Sequence, residues 1–348
     1  MNRKVVLGTG VVVVAAVAIG LYASANKGDA ATSKASVALI TDAAGIDDKS
    51  FQQSAWRGLT SWAKANDVKQ GKGGYTYFQA KTSADFETNI NQAVANGYQN
   101  IYGVGFPKTP AINAAAKKYS KNNFMIIDDI AKKRQNVVSV TFHTEQSSYL
   151  AGVAAAKTTK TNQLGFIGGM ESAVVKTFET GFVTGAKSVN PNIKVDVQYV
   201  GDFADAGKAK TIAASMYQNG SDVLYQAAGG AGAGVFTEAK DLNEKQTKAH
   251  KVWVVGVDVD QAADGVYQAT DGKSNFTLTS ATKGVGTAVK DVTERAATDK
   301  FPGGQHLVYG LKNKGVAVTR GQMSAGAWQA VQKAQKAIVA GDVKVPAK

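Results

Sequence analysis

From residue 36 to about residue 260 the chain alternates short β-branched runs with longer amphipathic stretches, and it runs through that alternation twice. The runs "SVALIT", "YTYFQA", "NIYGVGF" and "FMIIDD" read as strands, separated by helical segments over residues 52–65, 84–96 and 111–119. A second series, "QLGFIGG", "KVDVQYV", "DVLYQAA" and "KVWVVGVD", is interleaved with helical segments over 146–158, 173–189, 206–219 and 235–242. Strands that alternate with helices pair in parallel, with the helices covering both faces of the sheet. Two such series predict two doubly wound α/β lobes. A length of 348 residues and a hydrophobic content of 44% are enough to give each lobe its own core.

Three extended segments break the pattern: "NVVSVTF", "NFTLTSA" and, late in the chain, "LVYGLKNKGVAVT". They predict a three-segment hinge. On this reading residues 36–141 plus about 278–305 form the N-terminal lobe, and residues 142–277 plus about 306–348 form the C-terminal lobe. Open parallel sheets bind ligands beyond the carboxyl ends of their strands, so two lobes facing one another enclose a ligand between those ends.

The first 25 residues are set apart from the fold. Arg3 and Lys4 precede the uncharged run "VVLGTGVVVVAAVAIGLY", and "ASA" at Ala23–Ala25 has the small-x-small pattern of a signal-peptidase site. The run is also close to the roughly 20 residues that span a bilayer, so signal peptide and N-terminal anchor are both open. Residues 26–35 are small and polar, as in a flexible tether. Either way the expected location is extracytoplasmic, at the cell surface or secreted.

Composition removes several classes of function. With no cysteine there is neither a disulfide framework nor a thiolate metal site, and His143, His250 and His306 are too scattered for a zinc cluster. No metal and no cofactor are expected. The formal net charge of +13 could favour an anionic wall polymer or membrane surface, but the lysines fall as singles and pairs without interleaved aromatics. Nucleic acid is therefore not an expected partner, and a monomer is.

The strand ends carry the chemistry. "TDAAGIDDKSF" leaves the first strand with Asp42, Asp48, Ser50 and Phe51, where Ser50 and Gln53 fit a capping box and Phe51, Ala55, Leu59 and Trp62 share one helix face. Asp128 and Asp129 close "FMIIDD", Phe203 follows a strand in "VGDFAD", "AAGGAGAG" follows "DVLYQ", and Asp258 and Asp260 close "VVGVDVD". Each has an ordinary reading as a cap or as packing. Together they put rings, carboxylates and bare backbone at the lip where two lobes meet.

At these residues the chain resembles the basic membrane protein, or PnrA-like, substrate-binding lipoproteins of ABC transporters, which have the type I periplasmic-binding-protein fold. The motifs are "TDAAGIDDKSFQQSAWRG", "FMIIDD", "SYLAGVAAAKTTKTNQLGFIGG", "YVGDFADAGKAK", "VWVVGVDVDQ" and "LTSATKGV", and they span nearly the whole chain after the tether. The resemblance implies a binding protein that delivers a nucleoside, purine in characterised members, to a membrane permease. It implies that Phe51 and Phe203 sandwich the base, at roughly 1–3 kcal/mol per ring. Asp128 accepts from the base edge, and Asp258 and Lys283 hold the ribose with help from the Gly230 amide. Asp42, Asp48, Ser50, Gly105 and Asp260 complete the candidate set, Asp260 as the alternative to Asp258. One departure is plain: such proteins usually carry a lipidated cysteine at the cleavage site, and here "GLYASANKG" has none. Anchoring through a cysteine thioether is excluded.

Enzymatic readings find little support. The first strand-to-helix turn lacks a G-x-G-x-x-G fingerprint, and no G-x-S-x-G elbow, P-loop or H-E-x-x-H occurs. A nucleoside hydrolase using Asp47 and Asp48 with calcium is one alternative; a wall-associated or secreted adhesion protein of the same fold is another.

Overall fold

A computed structural model describes residues 35–347; the leader and most of the tether lie outside the described residues. The N-terminal series gives β1 (Val37–Thr41), α1 (Phe51–Ala65), β2 (Tyr75–Gln79), α2 (Asp85–Ala95), β3 (Asn100–Gly103), α3 (Thr109–Lys118), β4 (Asn123–Ile127) and β5 (Val137–Phe142). The second gives α4 (Thr144–Thr158), β6 (Gln163–Gly168), α5 (Ala173–Val189), β7 (Lys194–Tyr199), α6 (Ala206–Gln218), β8 (Val223–Ala227), α7 (Gly232–Asn243) and β9 (Trp253–Asp258). The chain then forms the hairpin β10 (Val266–Ala269) and β11 (Gly272–Asn275), followed by β12 (Thr277–Lys283), α8 (Val285–Ala297), β13 (His306–Tyr309), β14 (Val316–Val318) and α9 (Ala325–Ala340).

Two six-stranded sheets result, ordered β13-β5-β4-β3-β1-β2 and β14-β12-β9-β8-β6-β7. All pairings in both are parallel except that of β12 with β14. Central strands such as β1 and β8 are buried at every position, as both-face coverage demands, whereas the edge strands β2 and β7 are partly exposed.

The chain crosses between the sheets after β5, after β12 and after β13, at the three expected extended segments. The lobe boundaries, however, fall elsewhere than the sequence reading puts them. β12 pairs with β9 in the second sheet, and β13 pairs with β5 in the first. The uncharged "TLTSAT" run is an inner strand buried at every position but Thr282, which satisfies its backbone in the second lobe before the chain leaves through Gly284. β13 alternates exposed and half-buried positions, as suits an edge, and closes the first sheet. α8, β14 and α9 lie in the lobes expected for them; α8 packs on α1, with Trp62 Nε1 donating to Glu294 Oε2 at 2.7 Å.

α1 shows how local sequence sets a core-facing element. Ala55, Leu59, Trp62 and Ala63 recur at helical spacing and are fully or almost fully buried, each large one contributing about 1.5–3 kcal/mol by leaving water. α4 is different: it is buried on nearly every side, and it meets α5 through small residues on both helices. A Cβ on Gly152 would stand 2.1 Å from the Phe182 carbonyl oxygen and 2.7 Å from the Ala186 nitrogen. Because those are backbone atoms, Gly152→Ala is expected to force the helices apart and cost about 1–3 kcal/mol or more. Chemical denaturation reads this directly, and a cost below about 0.5 kcal/mol would show that the two helices separate freely.

Candidate functional site

The carboxyl ends of both sheets converge on a cavity whose empty space, mouth included, is about 600 Å³. Phe51, Asp128, Phe203, Gly230, Asp258 and Lys283 all line it, and so do Asp42, Asp48 and Gly105. Ser50 and Asp260 do not. Ser50 supports the wall from behind, its Oγ donating to Asp258 Oδ2 at 2.5 Å. Asp260 is exposed and caps its own turn, accepting from the Ala262 amide at 3.0 Å. Asp129 likewise turns away, accepting from Thr109 Oγ1 at 2.6 Å and from the Ile130 amide.

The start of α1 does not use the expected capping box. Ser50 makes no cap bond of its own; instead Asp48 accepts from the amides of Ser50, Gln52 and Gln53, each at 2.9 Å. The carboxylate thus satisfies orphan donors of the first turn and frees Ser50 to reach the other lobe. Burial pushes the Asp48 carboxyl up to about 6 in spite of those amides, with Asp258 adding to the rise. With both oxygens committed to backbone, Asp48 is poorly placed as a calcium ligand.

Asp128 and Asp258 occupy matching places, each just past or at the end of the strand third from its sheet's outer-hinge edge, β4 and β9. Both have left-handed backbone, φ +68° and +64°, a region that aspartate enters more readily than most side chains. The sharp turn takes the chain off the sheet and leaves the carboxylate at the cavity. Lys283, at the end of β12, lines the cavity with them. Its ammonium bonds Asp128 Oδ2 and lies 4.5 Å from the Phe51 ring centroid and 5.3 Å from those of Phe142 and Phe178. Burial raises the Asp258 carboxyl; Lys283 and the Ser50 hydroxyl oppose that rise, and Asp128 reinforces it.

These contacts join the lobes. Lys49, held at φ +54°, adds an ion pair to Asp264 at 2.9 Å, and its carbonyl accepts from Gln261 Nε2 at 3.2 Å. Gly230 also sits close against the first lobe: a Cβ there would meet Ala44 at 3.2 Å.

The cavity also contains residues that the sequence reading does not name. Phe106 stands edge-on to Phe203, with centroids 6.3 Å apart at 73°. Val174, Val175 and Phe178 enter from the first turns of α5, and Gln52 from α1. Phe106 follows β3 as Phe203 follows β7, so the strand-end criterion already contains the signal. Phe178 carries none, since a ring on a helix face looks like any core residue. Among the described residues no helix is long and apolar enough to cross a membrane.

Comparison with known proteins gives this site a setting. Residues 34–348 match the Bmp family, described as ABC transporter substrate-binding protein PnrA-like. The chain is 53% identical over 312 residues to the ABC transporter nucleoside-binding protein BmpA of Lactococcus lactis, covering 89% of each chain. It is 48% identical over 315 residues to the CD4+ T-cell-stimulating antigen of Listeria monocytogenes, covering 90% of this chain and 88% of that one. Among solved structures, an ABC transporter solute-binding protein from Aeropyrum pernix aligns with a TM-score of 0.76 at 21% identity, over 89% of this chain and 93% of that one. A sugar-binding protein of an ABC transporter from Bacillus halodurans aligns with a TM-score of 0.60 at 14% identity, over 82% and 97%. At those identities the likeness shows the fold, the two-lobed α/β architecture of type I periplasmic-binding proteins.

Proposed function

The chain belongs to the Bmp family of PnrA-like ABC transporter substrate-binding proteins, and from that premise we propose that it captures nucleosides, purines above all, in the interlobe cavity and passes them to a membrane permease. One observation carries the reading: four phenylalanine rings, Phe51, Phe106, Phe178 and Phe203, line the same cavity as Asp128, Lys283 and Asp258. Rings offer a flat base a stacking surface, and paired carboxylates with an ammonium suit its N–H donors and the sugar hydroxyls. The name of the Lactococcus relative supports the ligand class.

In this reading Asp128 accepts from the base edge, and Asp258, Lys283 and the Gly230 amide hold the ribose. Asp42, Asp48 and Gly105 shape the wall, and Ser50 acts through Asp258. The work is binding and release without chemistry, outside the cytoplasm, by a monomer whose basic surface favours an anionic wall or membrane. The leader that implies export lies outside the described residues.

Thermal unfolding in the presence of nucleosides, free bases and pentoses tests the reading. A true ligand at 100 times its dissociation constant stabilises by about 2.7 kcal/mol. Purine nucleosides are expected to raise the melting temperature, pentoses are not, and prolonged incubation is expected to release no free base. Phe203→Ala should weaken the shift by about 1–3 kcal/mol of binding with the circular dichroism unchanged. No stabilisation by any nucleoside would sink the proposal.

A further inference from the structure

Gln52, a residue of the cavity wall, holds a buried polar atom that the described protein leaves without a partner. Five buried side-chain polar atoms lack one among the described residues: Thr41 Oγ1, Gln52 Oε1, Asn89 Nδ2, Arg134 Nε and Tyr267 OH. Of these five residues only Gln52 lines the cavity, and its side chain is nearly sealed from solvent, at 3% exposure.

Its orientation is not free. Gln52 Nε2 donates to Asp42 Oδ2 at 2.7 Å and to the Val104 carbonyl at 3.3 Å, and both are acceptors. Turning the amide over would set its oxygen against a carboxylate and a carbonyl, so the nitrogen stays where it is. Asp42 is itself fixed, since the ammonium of the fully buried Lys108 reaches the same Oδ2 at 3.3 Å and lies 4.9 Å from the centroid of the Phe86 ring. Burial lowers the Lys108 ammonium and Asp42 opposes that fall, so the two hold one another. Lys108 fixes Asp42, Asp42 fixes the amide nitrogen, and the amide oxygen is left as an acceptor with nothing to accept. A buried acceptor without a donor is costly, and such groups are rare unless something else supplies the bond.

We propose that Gln52 is a ligand-reading residue whose Oε1 accepts a hydrogen bond from one N–H or O–H of the bound molecule. It selects for ligands with a donor at that place, and it does so from the Asp42 side of the cavity, apart from the Asp128–Lys283–Asp258 cluster. The assignment rests on the nucleoside reading for its choice of probes.

Calorimetry with guanosine and five relatives, each lacking one donor, tests it. Inosine lacks the 2-amino group, 2-aminopurine riboside lacks N1–H, and the 2′-, 3′- and 5′-deoxyguanosines each lack one hydroxyl. In the unaltered protein one of these deletions is expected to cost about 10-fold through Gln52, and in Gln52→Leu the same deletion is expected to cost less than about 2-fold. If every deletion costs the same in the unaltered protein and in Gln52→Leu, the residue is structural and the assignment is overturned, however weakly Gln52→Leu binds. If the unaltered protein binds none of the six, the nucleoside reading falls, and this assignment falls with it.

Discussion

Lys283→Met is expected to abolish tight ligand capture, with affinity falling more than about 100-fold while the circular dichroism stays that of the folded protein. Lys283 is 4% exposed, bonds Asp128 of the first lobe and lowers the carboxyl of Asp258 of the second through its charge. Removing one member of a buried charge cluster leaves the others uncompensated, at about 3–5 kcal/mol. The facing carboxylates are on different lobes, so the protein can relieve them by opening instead of unfolding. Acid should rescue closure in part. Burial already holds the Asp258 carboxyl above its ordinary value, so its contribution to the closed state is complete below the ordinary carboxylate range and is withdrawn as pH rises through the folded-state value. Without Lys283 that withdrawal deepens. Guanosine titrations at pH 5 and pH 8 are expected to show a smaller deficit at pH 5; a loss under 3-fold at both would mean that Lys283 does not hold the site together.

Asp128→Ala is expected to change which bases bind as well as how tightly. An ionised carboxylate accepts and never donates, so guanosine offers it N1–H and the 2-amino group, inosine only N1–H, and adenosine only its exocyclic amine. A donor left dry costs about 1–3 kcal/mol. Guanosine and inosine should therefore lose about 10-fold to 100-fold, adenosine less. Part of the loss will be common to all ligands, because Lys283 loses its partner too; the differences between ligands carry the information. Equal losses for guanosine, inosine, adenosine and uridine would leave Asp128 as a structural partner of Lys283.

Much of this architecture is legible before any coordinates. Alternating runs define both sheets because most inner strands are predominantly apolar and β-branched and most covering helices are amphipathic; α5 even begins and ends at the expected residues, Ala173–Val189. Asp128 and Asp258 stand out because carboxylates interrupt runs of Ile and Val at strand ends. Less legible are features set by long-range pairing. "TLTSAT" and "HLVY" say that they are strands but not which sheet takes them, and that choice moves the lobe boundaries. Ser50 looks like a cap until Asp48 is seen to do that work. Gln52 and Lys108 are still harder to find, since a glutamine in a first helical turn and a lysine before a helix are ordinary surface residues until folding buries them.

The interleaving of the two sheets sets the order in which the molecule can form. The first sheet lacks its sixth strand until His306–Tyr309 has been made, and α1 lacks its covering helix until Val285–Ala297 has. The second sheet waits for Val316–Val318, and α4 for Ala325–Ala340. A chain emerging from its N-terminus therefore holds no finished half at any point before its last few dozen residues, and contacts of such long sequence separation form slowly. Such a chain stays threadable late into its own synthesis, and both halves then become complete almost together.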